Sequence, residues 1–504
     1  MSYPKASWSL LAWGAFIPFF KTIEAASPRE RFRTGYLLGF LVSLGVFYWV
    51  TFSMRHYGHL NWPTSVSILV LMALYLALYP AVFGWLWGFL PSKGSFPLLV
   101  VPALWVSLEF LRAKLLTGFP WALIGYTQSE WLPIIQVAEI TGIYGISFLI
   151  LLSNQALYQL FIGKNSGRPW REKWPEAVLP ALLFSLVVSF GWQRLSGEDL
   201  ENVRAQKISV SVIQGNIDQS LKWNPLYQKK TIDIYSDLTK ISLDGLKGLH
   251  QNPLEGRGSP PLVIWPETAV PFYFLNDGRL TPRLFDLAEK TGAYLLFGSP
   301  AFGDQGGRRH YFNRAYLLSP EGRISFYDKV HLVPFGEYIP LKRLLPFVNR
   351  MVESIGDFSP GRAGYLLGHP QAKIGVLICF ETIFPELSRA FKRDGGNLLV
   401  NMTNDAWFGR TSAPYQHLAM LVFRAVENRT WVARAANTGF SAVIDSAGRI
   451  RDRSSLFEKA TLQAIIPLRN QTTFYSRTGD WLVYICLLST VAWLVTFYLR
   501  NRRT

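Results

Sequence analysis

The chain has 504 residues, long enough for two or three domains, and is 49% hydrophobic and 15% aromatic with 18 Trp. Its two cysteines exclude a disulfide framework, and its seven histidines include no pair at the H-x3–5-H spacing of a zinc site, so no metal and no cofactor is expected. A formal net charge of +17 suits nucleic acid or an anionic membrane; there is no nucleic-acid motif and the basic residues flank apolar runs, which favours the membrane.

Residues 1–193 hold repeated apolar stretches, near 8–24, 34–53, 64–90, 96–111, 143–163 and 176–193. Each is near the ~20 residues that cross a bilayer, and runs such as FPLLVVPALWVSLEFL are too continuously apolar for helices of a soluble core. No cleavable signal peptide is recognisable, so the first stretch reads as a span that stays. Lys21, Arg29, Arg31 and Arg33, then Lys93, then Lys164, Arg168, Arg171 and Lys173 fall in alternate loops, which places those loops in the cytoplasm. A last span near 480–499 returns to that side, where Arg500, Arg502 and Arg503 agree. The expectation is seven spans with the N-terminus outside. The stretch 112–142, LLTGFPWALIGYTQSEWLPIIQ at its centre, is too interrupted by Gly and Pro to span and too apolar for an exposed loop. It reads either as an interfacial segment at the headgroups or as packing between helices. Glu109, near the end of one span, is the main acid within the spans, and no two-fold pattern of the transporter kind is visible.

Residues 200–478 change character. Short β-rich runs (207–216, 261–267, 293–301, 315–329, 373–379, 396–405, 439–450 and 461–467) alternate with helical patterns such as 231–249 and 416–430, which predicts an α/β domain with a buried sheet. SPEGR and DSAGR read as hairpin turns. The predicted organisation is a transmembrane bundle of six spans over 1–193, a catalytic domain over 200–478 and a closing helix with a basic tail over 479–504.

Three predicted strand ends carry side chains able to do chemistry. Lys373–Phe384, KIGVLICFETIF, is a buried strand that stops on Cys379 and leads into a helical FPELSRAFKRDG. The carboxyl end of a strand, before a helix, is where α/β sheets place ligands. A lone cysteine is more often a small core residue; this one is the only cysteine outside the apolar segments, Cys486 being within one. Glu267 ends VIWPE beside Trp265 and Pro266, where partial desolvation would raise its pKa toward a general base's range; taken alone it reads as readily as a helix cap or a surface acid. Lys329 ends ISFYDK, where it would stabilise a thiolate or oxyanion, though a lone strand-end lysine is more often solvated. Glu337 follows in the Gly/Pro-rich PFGEYIP, as a partner for Lys329 or an ordinary loop acid, and Asp328 should point away from Lys329 by the strand period.

Glu, Lys and Cys in that order, each at a strand end, resemble the nitrilase or carbon–nitrogen hydrolase superfamily. The matching pieces are WPET, YDKVHLVPFGEYIP, GVLICFE, NMTNDAWFG and RAVENRTWVARAANTGFSAVID. The resemblance implies an α-β-β-α sandwich and a catalytic trio of Glu267, Lys329 and Cys379. The QGNI…KW run of Gln214–Trp223, NDAWFG and FGEYIP, with the spans on either side, are similar to the apolipoprotein N-acyltransferase family, over nearly the whole chain. That likeness implies a bacterial inner-membrane enzyme with a periplasmic catalytic domain, a phospholipid acyl donor, a diacylated apolipoprotein acceptor and a thioester intermediate. Glu337 and Glu381 are the implied supporting residues, and Trp223 and Trp407, with loop 112–142, a lipid-facing mouth. Two departures stand out: the family usually has eight spans, and Phe380 follows the cysteine where tyrosine is common. The rival readings are a membrane-tethered amidase, in which water resolves the thioester, and a non-enzymatic membrane protein with a degenerate domain.

Overall fold

The computed structural model describes residues 2–91, 95–163, 166–249, 259–305, 307–338 and 358–502. The chain divides into two compact units, one of Met1–Ser196, Thr411–Phe423 and Arg477–Thr504, the other of Gly197–Arg410 and Arg424–Ser476.

The first unit is helical. Among the described residues five helices are long and apolar enough to cross a membrane: Trp62–Trp87, Phe96–Thr117, Ile143–Ile162, Arg171–Arg204 and Trp481–Arg500. A sixth span arises if Pro28–Phe47 and Trp49–His56, bent by 51°, are counted together. This is fewer than the seven expected, and the difference lies at residues 8–24. That stretch is a 3-10 turn, Ser9–Trp13, and a short helix, Ile17–Ile23, interrupted at Gly14. Neither piece approaches the ~20 residues of a crossing. Phe20 is instead fully buried and stacks on Trp87 with ring centroids 5.3 Å apart. Helix Pro28–Phe47 packs on Trp62–Trp87 through small residues: a Cβ on Gly35 would lie 2.4 Å from the Pro80 carbonyl oxygen. Such close backbone approach replaces the hydrophobic drive that lipid cannot supply. Of the two readings of 112–142, the packed one is observed. Trp121, Leu123, Tyr126 and Gln128 are buried, Trp121 Nε1 donates to Gln416 Oε1 at 2.8 Å, and the Ile124 amide donates to Glu109 Oε1 at 2.8 Å.

The second unit holds twelve strands in two sheets among the described residues. They are β1 (Lys207–Gln214), β2 (Leu262–Ile264), β3 (Tyr294–Gln305), β4 (Arg308–Leu318), β5 (Ile324–Asp328), β6 (Leu367–Gly368), β7 (Lys373–Ile378), β8 (Leu398–Thr403), β9 (Val432–Ala436), β10 (Ala442–Ile444), β11 (Ile450–Arg453) and β12 (Ala460–Pro467). One sheet runs β12-β1-β2-β3-β4-β5 and the other β11-β10-β9-β8-β7-β6. Each has a parallel centre, β1-β2-β3 and β7-β8-β9, and antiparallel edges. Strands covered on both faces must be apolar throughout, and β2, β7 and β8 are buried except for Lys373. SPEGR and DSAGR do turn hairpins, joining β4 to β5 and β10 to β11. The predicted strand 315–329 is therefore two strands, and β4 begins earlier, at Arg308. The helical patterns are observed as Pro225–Leu249 and Ala413–Asn428, and Pro385–Arg393 follows the cysteine.

Candidate active site

Strand direction brings the chemistry to one end of each sheet. Glu267 follows β2, Lys329 follows β5, Cys379 follows β7, and Asn404 and Asp405 follow β8. The turn after β2 is tight: Thr268 has φ 47°, and a Cβ on Gly298 of β3 would lie 2.3 Å from the Thr268 nitrogen. Gly298→Ala should therefore push the Glu267 turn away from β3. We expect a loss of about 1–3 kcal/mol of stability, by thermal or denaturant melting, together with slower catalysis.

Cys379 itself has φ 51°, at the point where β7 gives way to the 3-10 turn Cys379–Ile383. A non-glycine residue there costs of order 1–3 kcal/mol and persists only when its surroundings enforce it. Glu381 does much of the enforcing. It is fully buried; its Oε2 accepts from the Ile378 amide at 2.7 Å, and its Oε1 from the Tyr327 hydroxyl at 2.9 Å, the Val330 amide at 2.6 Å and the His331 amide at 3.2 Å. Burial pushes its carboxyl up to about 7 against the pull of those backbone donors and of Lys329. Glu381 thus clips the segment after Lys329 to the strand end that bears Cys379, and acts through position. Phe380 is 9% exposed and packs on the Phe384 ring at 5.3 Å.

Around the sulfur the charged groups converge. Lys329 is 1% exposed, with Nζ 2.9 Å from Glu337 Oε1 and 3.6 Å from Glu267 Oε1. Asn313 of β4 ties the two acids together, its Nδ2 donating to Glu267 Oε1 at 2.8 Å and to Glu337 Oε1 at 2.9 Å. Glu267 Oε2 accepts from the Asn404 amide at 3.1 Å, and Glu337 Oε2 from the Val333 amide at 2.9 Å. Burial alone would lower the Lys329 ammonium, but Glu337, Glu267 and Cys379 outweigh it and hold the lysine well above its ordinary range. Burial pushes the Cys379 thiol well up, Glu267 and Asp405 push it further, and Lys329 and the Thr403 hydroxyl pull it back. Glu267, Lys329 and Cys379 therefore share one electrostatic neighbourhood although they lie far apart in sequence. Behind it, Arg434 of β9 pairs with Asp405 at 2.6 Å, both fully shielded.

Trp223 and Trp407 are 49% and 36% exposed; Trp223 directly follows the buried Lys222, and Trp407 comes two residues after the buried Asp405. Both are far more exposed than Glu267, Lys329 and Cys379. Asp328 pairs with Arg314 at 2.6 Å, away from Lys329 as the strand period required. Asn313, Asn404 and Lys222 were not anticipated. Asn313 is a buried amide at the middle of β4, RRHYFNRAYLL, a strand of mixed polar and aromatic residues in which nothing singles it out. No group of three or more metal-ligating side chains occurs among the described residues.

A family model described as the apolipoprotein N-acyltransferase N-terminal domain matches residues 1–156, and one described as carbon-nitrogen hydrolase matches 246–473. A protein named apolipoprotein N-acyltransferase from Geobacter metallireducens is 45% identical over 488 residues, covering 97% of this chain and 91% of the relative. The chain belongs to the apolipoprotein N-acyltransferase family. A Methylococcus capsulatus protein of the same name is 34% identical, over 90% of this chain and 85% of its own length. Among solved structures, Saccharomyces cerevisiae Nit3, a member of branch 10 of the nitrilase superfamily, is 19% identical and covers 52% of this chain and 90% of its own, with a TM-score of 0.38. Membership in this N-acyltransferase family makes the chain a membrane-associated acyltransferase whose second unit carries the carbon–nitrogen hydrolase fold.

Proposed function

We propose that this chain transfers a fatty acyl group from a membrane phospholipid, through a thioester on Cys379, to the α-amine of the S-diacylglyceryl cysteine that begins an apolipoprotein. In this reading the catalytic domain, 200–478, lies on the periplasmic side of the bacterial inner membrane, between a bundle over 1–193 and a closing helix over 479–504. The observation that carries the proposal is the cysteine at a left-handed strand end, within the fields of both Glu267 and Lys329.

The steps follow from that arrangement. Glu267 takes the Cys379 proton as the sulfur attacks the ester carbonyl, and Lys329 with backbone amides balances the oxyanion. The oxyanion collapses, the C–O bond breaks, and Glu267 returns the proton to the departing lysophospholipid oxygen. A thioester remains. The acceptor amine attacks it, Glu267 takes the amine's proton, and collapse of the second tetrahedral intermediate forms the amide and restores the thiol. Amines attack thioesters readily, while exclusion of water limits hydrolysis. Glu337 holds Lys329 in place, and the exposed indoles of Trp223 and Trp407 offer apolar surface to acyl chains.

Incubation of the purified protein with phospholipid should raise its intact mass by one fatty acyl group, and peptide mapping should place the group on Cys379. Cys379→Ala should acquire none and should not acylate a diacylated lipopeptide. Acylation of the lipopeptide by Cys379→Ala at the wild-type rate rules the mechanism out. Release of free fatty acid with no acylated lipopeptide favours the tethered amidase, in which water resolves the thioester.

A further inference from the structure

The site contains a second buried ammonium that the proposed steps leave without a task. Lys222 ends a short helix, Gln219–Lys222, on the segment that leads out of β1. It is 2% exposed, and its Nζ donates to the Glu267 carbonyl oxygen at 3.1 Å and to the Thr268 hydroxyl. Gln219 of the same turn accepts from Asn404 Nδ2 at 2.6 Å, and the Asn404 amide donates to Glu267 Oε2. The segment is thus fastened on both sides of the Glu267 carboxylate. The next residue, Trp223, is half exposed.

We infer that Lys222 is a positioning residue for Glu267, holding its strained turn, and is the second cation that balances the two carboxylates of the site. Two physical points support this. Burying an ammonium is costly unless it finds partners, so a lysine driven to 2% exposure onto a carbonyl and a hydroxyl fixes those groups firmly. Formal charge gives the second point. Glu267 and Glu337 bring two negative charges to Lys329's one, while Asp405 is balanced by Arg434. Without Lys222 the site would hold a net negative charge, which opposes formation of a thiolate or an oxyanion. With Lys222 the charges of Glu267, Glu337, Lys329 and Lys222 sum to zero, and that sum does not change as the proton passes from sulfur to Glu267 and the charge to the carbonyl oxygen; Glu381, whose carboxyl lies at about 7, stands outside this sum on its three backbone amides. The charges of Lys222 and of Glu267 and Cys379 act on one another: burial lowers the lysine to about 8, while Glu267 and Cys379 oppose that fall.

The inference rests on Glu267 being the base, and the test separates the two ideas. Full-length protein in detergent is alkylated at Cys379 by iodoacetamide across pH; the charged groups around the sulfur are Glu267, Lys329, Asp405 and Lys222, with Glu381, at about 7, on the same turn. Lys222→Met should lower the alkylation rate about tenfold at each alkaline pH, the equivalent of one unit in the thiol's pKa. With mixed phosphatidylethanolamine–phosphatidylglycerol micelles it should slow acyl-enzyme formation by about 10- to 100-fold with little change in the KM for lipid. Lys222→Arg should recover most of both. Should Lys222→Met fail to fold, Thr268→Val removes one acceptor and should slow acylation by about fivefold. An unchanged alkylation profile in Lys222→Met, or a wild-type rate in Thr268→Val, overturns the inference. A wild-type acylation rate in Glu267→Gln would instead overturn the base assignment, and the alkylation profile would still decide the charge role of Lys222.

Discussion

Glu267→Gln is expected to slow formation of the acyl-enzyme by about 10²–10⁴ at neutral pH, the usual worth of a positioned general base. The reason lies in the resting state of the sulfur. Burial and the charges of Glu267 and Asp405 hold the Cys379 thiol well above its ordinary range, and Lys329 only partly offsets them. Hardly any standing thiolate exists at pH 7, so the proton must leave as the sulfur attacks, and a carboxylate must be ready for it. Glutamine keeps the shape and can still accept from Asn313 or from the Asn404 amide, but not from both as the carboxylate does. The fold should survive with a loss of about 1–3 kcal/mol, the cost of one donor left unpaired. Single-turnover transfer of a labelled acyl chain measures the effect. Partial recovery of the rate above pH 9, where hydroxide removes the proton instead, would mark the defect as one of proton transfer. A variant within tenfold of wild type at pH 7 would show that another group takes the proton.

The sequence made the strand ends legible because they combine two independent signals. VIWPE and KIGVLIC are each an apolar β-rich run that stops on a polar residue, and buried parallel strands must be apolar until they reach the rim; ISFYDK is an antiparallel edge strand, legible from its β-branched and aromatic residues and from the SPEGR turn before it. Strand β9 was not legible. It follows helix Ala413–Asn428 with no Gly or Pro between them, and its five residues, VARAA, carry an arginine at the centre. Arg434 looks like a surface residue until Asp405, Asn401 and the Phe440 carbonyl are seen to surround it. A buried charge is permitted only by partners far away in sequence, and periodicity carries no trace of them. Lys222 was hidden for the same reason, since its acceptors Glu267 and Thr268 are supplied by another strand end. The stretch 8–24 was over-read in the opposite direction. Its composition is that of a span, but Gly14 and the packing of Phe19, Phe20 and Ile23 divide it into short pieces. Hydropathy counts residues and does not register where a helix stops. Glu381 was placed beside the nucleophile by the sequence, yet its work as a clip on Val330, His331 and Ile378 appears only when those amides are located.

Lys329→Met should cost more than the loss of one oxyanion donor. Removing such a donor typically costs 10²–10³ in rate, but here the ammonium also separates two acids. Glu267 Oε1 and Glu337 Oε1 accept from the same Asn313 nitrogen, at 2.8 Å and 2.9 Å, and Lys329 lies against both. Without its charge the two carboxylates face each other across one neutral amide, and like charges so close share a proton instead of both ionising. A Glu267 that shares this proton is a poorer base at neutral pH. Both faults act on the same step, so the fall in acyl-enzyme formation should reach about 10³–10⁵, with the sum of the two effects setting the scale. The added fault has its own signature. The acidic limb of the pH–rate profile should move toward higher pH in Lys329→Met, because the paired acids hold their proton longer. A second substitution, Glu337→Gln, should move that limb back by removing the rival carboxylate, although the missing oxyanion donor keeps the maximal rate low. An acidic limb that stays where it is in Lys329→Met would mean that Glu267 and Glu337 do not compete for a proton, and Lys329 would then be a donor to the oxyanion alone.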